Sequence, residues 1–97
     1  SNATYLTFEY DLVNSSGNER LMMEVDNEQI SQEILYRMDA ENFNNPIPGK
    51  LFRIPPINIS KYGGQNVRVS FDFSGEVKVG EKGARLFLDN LIIYGDK

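Results

Sequence analysis

The chain contains no cysteine, no histidine and no tryptophan. Without cysteine there is no disulfide framework and no thiol chemistry. This leaves the compartment open, because a domain that builds its own core needs no disulfides even outside the cell. The lack of histidine removes the commonest general base and the commonest zinc ligand. The lack of tryptophan removes the strongest stacking platform for sugars and leaves that task to Tyr and Phe. No apolar stretch approaches the roughly 20 residues of a membrane span, so no membrane insertion is expected. Ten basic residues, scattered and without a run, stand against fourteen acids, for a net charge of −4. That balance argues against a nucleic-acid partner, which normally leaves a basic stripe.

What is present is an ordinary globular composition of 97 residues, 40% apolar and 25% charged, which fits one domain with a modest core. A single domain over 4–97 is expected, with Ser1-Asn2-Ala3 read as an expression-tag remnant. The dominant period is two, the mark of half-buried strands. In "YLTFEYDL", Leu6, Phe8, Tyr10 and Leu12 alternate with Thr7, Glu9 and Asp11. "LMMEV" (21–25) alternates again, and Asp26-Asn27 reads as a tight turn. The segment 28–38 fits a capped helix or a strand. The two-residue connection favours a strand in a hairpin with 21–25. "DAENFNNPIPGK" (39–50) is the longest loop. In "LFRIPPINIS" (51–60), Pro55-Pro56 restricts the segment to an edge strand or an extended run. "NVRVSFDF" (66–73) alternates most clearly, with Val67, Val69, Phe71 and Phe73 inward. Residues 85–94, apolar on both faces, are expected to form a central strand. The whole reads as an all-β antiparallel sandwich.

Residues 57–94, "INISKYGGQNVRVSFDFSGEVKVGEKGARLFLDNLIIYG", resemble the C-terminal half of galactose-binding-like jelly-roll modules. The matching residues are Ile57, Ile59, Ser60, Tyr62, Gly64, Gln65, Val67, Val69 and Phe71, then Leu86, Leu88, Asp89, Asn90, Leu91 and Ile93. The earlier stretch "YLTFEYDLVNSSGNERLMMEVDNEQI" is similar to the middle of such modules. The resemblance implies a jelly-roll β-sandwich and a non-catalytic accessory module of a bacterial secreted or cell-surface protein. Such a module binds a glycan or another surface ligand. The different-class alternative is a structural or adhesive interaction domain with no small ligand. Full modules usually carry one or two strands before the position where this chain starts. Those early segments commonly carry ligand- or calcium-binding loops; if they are missing, either the site is missing with them or another chain completes the sheet, and an unpaired edge is open to β-addition and self-association.

Candidate sites follow from side-chain chemistry. Asp89 and Asn90 interrupt the apolar run "RLFLDNLIIYG" and need polar partners if buried. The plainer reading is a satisfied structural corner drawing on the Gly-rich segment 79–84. The sharper one makes Asp89 a ligand of a structural calcium, the one cofactor considered, with the remaining oxygens coming from separate loops. Acid pairs such as Glu9 with Asp11 or Glu24 with Asp26 lie on strand faces without a cleft, so catalysis is not expected. No serine has a histidine base or a G-x-S-x-G context. The best binding candidates are the asparagine-rich loops. There Asn42, Asn44 and Asn45 could pair with sugar hydroxyls, and Phe43 or an exposed Tyr36 could stack on a pyranose face. The plainer alternative is an ordinary loop whose Phe43 tucks back onto the sandwich. Tyr62 is read as an inward-packed corner aromatic whose hydroxyl bonds backbone.

Overall fold

The computed structural model describes residues 2–39 and 49–95. Alternation does lay down strands: β1 (Thr4–Val13), β2 (Arg20–Asp26), β3 (Glu33–Asp39), β4 (Phe52–Arg53), β5 (Ile57–Asn58), β6 (Arg68–Ser74) and β7 (Arg85–Gly95). They form two antiparallel sheets packed as a sandwich. In the first, β1 is flanked by β7 on one side and by β4 and β5 in succession on the other. In the second, β2 lies between β3 and β6. The break between β4 and β5 falls at Pro55-Pro56, where no ladder donor is available.

The inward set of β1, namely Leu6, Phe8 and Tyr10, meets Leu21 and Met23 of β2, together with Met38 and Ile54. Each is essentially out of water, and burying such a side chain contributes on the order of 1.5–3 kcal/mol. Phe8 sits at the centre. Its ring meets Tyr36 of β3 edge-on at 6.3 Å and Phe71 of β6 edge-on at 5.3 Å.

The segment 28–38 is a strand only from Glu33, and its link to β2 is longer than two residues. Asn27 organises that link. Its side-chain oxygen accepts the Gln29 and Ile30 N–H groups at 2.9 and 2.7 Å, so the capping signal near Asp26 marks an Asx turn rather than a helix. A bulge at Leu35 shifts the phase of β3. Tyr36 and Met38 stand opposite inward-facing Met23 and Leu21, while Ile34 stands opposite Glu24 on the outer face and is exposed.

Residues 85–94 are not central. Among the described residues β7 pairs with β1 alone, so it is an edge strand, and most of its side chains on both faces are exposed. Near-continuous apolar composition marks a strand that needs cover on both faces. Among the described residues β7 does not receive it.

Candidate functional site

The register of β7 on β1 explains the polar pair in its middle. Thr7 stands opposite Ile92 and Glu9 opposite Asp89, so β7 carries one extra residue across that step. This is a β-bulge at Asn90 and Leu91. Asn90 takes φ of 51°, the left-handed region that asparagine tolerates better than most residues. The bulge changes which parity faces inward. Leu86 and Leu88 stand opposite inward-facing Leu12 and Tyr10, whereas beyond the bulge it is Ile93 that stands opposite Leu6. By alternation Leu91 joins the inner set, and Arg85, Phe87, Asp89, Ile92 and Tyr94 lie outside.

The corner is held through Asn90, not through Asp89. The Asn90 side-chain amide donates to the Glu9 carboxylate. Arg53 of β4 donates to that same carboxylate at 3.1 Å and to the Asn90 carbonyl at 3.4 Å. Asp89 is exposed, and its carboxylate accepts the N–H of its own neighbour Asn90 at 2.8 Å. A buried tether is therefore the wrong description of Asp89. The bulge turns the carboxylate outward, and the Gly-rich segment makes no bond to it among those described. Among the described residues, no group of three or more acidic side chains gathers where a metal could sit.

Tyr62 is buried as expected, but its hydroxyl donates to a side chain, the Glu33 carboxylate, at 2.6 Å, rather than to backbone. That hydrogen bond, opposed by burial and helped by Lys61 at 3.4 Å, holds the Glu33 carboxyl below its ordinary range. These contacts also align the two sheets. Tyr62 and Lys61 lie just past β5, and Glu33 opens β3, so the β4/β5 side of the first sheet lies over β3. With β1 above β2, β7 and β6 share the opposite flank. Neither has a second strand partner among the described residues.

That flank is open. On the inner face Phe71 of β6 is 37% exposed, Leu91 49% and Ile93 58%; on the outer face Phe87 is 51% exposed. Clustered apolar exposure of this kind is uncommon on a soluble monomer.

The other candidates lie elsewhere. Tyr36 is half-buried, packed edge-on to Phe8, with its hydroxyl directed to the Met38 sulfur at 3.9 Å. Asn42, Phe43, Asn44 and Asn45 lie outside the described residues. In the 14–19 loop the Glu19 carboxylate is buried. It accepts hydrogen bonds from the Ser15 hydroxyl at 2.5 Å, and from the Ser16 hydroxyl and N–H at 2.7 and 3.0 Å. Burial opposes its charge, but these bonds outweigh it and lower its pKa to about 2. The hollow beside it, about 180 Å3 and lined by Phe73, Gly75, Val77 and Ala84, holds a carboxylate already satisfied.

Sequence reasoning missed Phe87, Leu91, Ile92 and Ile93 as surface residues. The signal was present, since both faces of 85–94 are apolar. Periodicity reports how apolar a face is, but not whether the same chain covers it. Compared with protein-family models, with curated proteins and with solved structures, the chain finds no match in any of the three.

Proposed function

We propose that this chain is a non-catalytic interaction module, of the galactose-binding-like jelly-roll kind, that takes a protein partner onto the edge formed by β7. One observation carries the reading: an edge strand apolar on both faces and exposed on both. Backbone N–H and C=O groups along such an edge recruit an extended segment by β-addition, and alternate side chains of the incoming strand find apolar ground on either face. The absence of His and Cys from the sequence supports the non-catalytic part. So does the state of the most buried carboxylate among the described residues, since a Glu19 held near pKa 2 is too acidic to serve as a general acid at neutral pH.

The test uses a soluble peptide of alternating valine and threonine with terminal lysines, titrated into the dilute labelled chain and followed by NMR. Shift changes confined to β7, β1 and β6 amides, and lost in Leu91→Lys, are the expected result. No response at β7 at peptide concentrations up to about 1 mM overturns the reading. So does a glycan response that disappears in Phe43→Ala while β7 stays silent, which would return the carbohydrate-binding alternative.

A further inference from the structure

We infer that the partner on this edge is a second copy of the chain, joined by antiparallel pairing of β7 with β7 of the other copy about a two-fold axis. This deepens the reading above and rests on it. Three observations carry it.

The first is apolar exposure. Phe87, Leu88, Leu91, Ile92, Ile93 and Tyr94 of β7 are each between 39% and 58% exposed, a contiguous apolar edge that a soluble monomer rarely leaves to water.

The second is symmetry. An antiparallel pair of identical strands maps onto itself under a two-fold rotation, so the same edge serves both copies and the contact closes at two. It leaves no further β7 edge for a third copy.

The third is charge. Asp89 stands directly opposite Glu9 on β1, a like-charge neighbour that disfavours it. Glu9 is already engaged by Arg53. Among the described ion pairs, neither Asp89 nor Arg85 has a partner of opposite charge. Both lie on the outer face of β7, on either side of Phe87. Antiparallel pairing centred on Phe87 sets Arg85 of each copy opposite Asp89 of the other, Phe87 against Phe87, and Leu86 against Leu88. Two unpaired charges per chain become two cross-strand pairs, and on the inner face the exposed Leu88 of each copy gains the half-buried Leu86 of the other as a neighbour. The bulge at Asn90 ends the paired stretch. Beyond it, at either end of the paired stretch, Leu91 and Ile93 of one copy meet the residues that lead into β7 of the other.

Sedimentation of the full chain over a range of concentrations tests this, with circular dichroism confirming the fold of every variant. A monomer–dimer equilibrium is expected. Asp89→Arg and Arg85→Asp are each expected to weaken dimerisation by about tenfold or more. The double variant, with the charges exchanged, is expected to return to within roughly threefold of the original. A chain that stays monomeric to about 1 mM overturns the inference, and so does a dimer indifferent to both reversals. A monomer that still takes the valine–threonine peptide on β7 keeps the interaction module and rejects the second copy. Failure with both rejects the β7 edge altogether.

Discussion

Glu19 shows how much one side chain can depend on a loop. Its carboxylate gathers three hydrogen bonds from Ser15 and Ser16. The folded state therefore keeps it ionised down to about pH 2, against an ordinary value of 4.5. Between those values the unfolded chain binds the proton and the folded chain does not, so stability rises with pH across that window. The contribution is complete above the unfolded value and is lost as pH falls through the folded one. Urea unfolding of Glu19→Gln should show a loss of about 1–3 kcal/mol at neutral pH, where a charged acceptor is removed. The gap to the original chain should close as pH drops towards 2. A gap that stays constant with pH would mean the carboxylate's charge plays no part. The stretch "NSSGNE" reads as a polar loop and is one. The capture of its own glutamate was not legible, because it depends on a backbone path that residue types alone do not specify.

Among the elements, β7 is where the sequence misled and where the physical reason is clearest. Period two located β1, β2 and β6 within a residue or two, because each of them has an apolar face on the core and a polar face on the other side. The same rule, applied to "RLFLDNLIIYG", assumes a constant phase. The bulge breaks that phase, so Leu86, Leu88 and Ile93 face inward although their spacing does not keep parity. Asp89-Asn90 is thus a phase marker. Asn90 supplies the left-handed backbone and the amide that reaches Glu9. Asn90→Gly keeps the backbone and loses one exposed hydrogen bond, and should cost below about 1 kcal/mol. Asn90→Val must force a β-branched residue into a region it avoids, and should cost about 1–3 kcal/mol while loosening the β7 end of the ladder. Denaturation of both variants at low protein concentration, with hydrogen exchange on β7, separates them. Equal losses would remove the bulge as the reason for asparagine here.

At the level of the whole molecule, the sandwich is closed along one flank and open along the other. Tyr62, Lys61 and Glu33 stitch the β5 side to β3, and Ile54 with Met38 seals the interior there. Across the molecule Phe71, Leu91 and Ile93 face the gap between β6 and β7. The sequence could supply the strands and the two-layer form, because those follow from local alternation. It could not supply the asymmetry, which depends on which strand neighbours which. The asymmetry has an energetic signature. Leu21 is fully buried between the sheets, so Leu21→Ala should cost about 2–5 kcal/mol at any protein concentration, from lost transfer energy and the cavity left behind. Ile93 removes a comparable group from a site more than half exposed, so Ile93→Ala in the dilute chain should cost below about 1 kcal/mol. When association covers the open flank, the folded state is stabilised by mass action and Ile93 loses part of its exposure. The penalty of Ile93→Ala should then grow with concentration, while that of Leu21→Ala stays fixed. Melting curves of both variants and the original chain, recorded across a hundredfold range of concentration on the order of micromolar to submillimolar, make the comparison. Parallel behaviour of the two variants would mean that the open flank stays open.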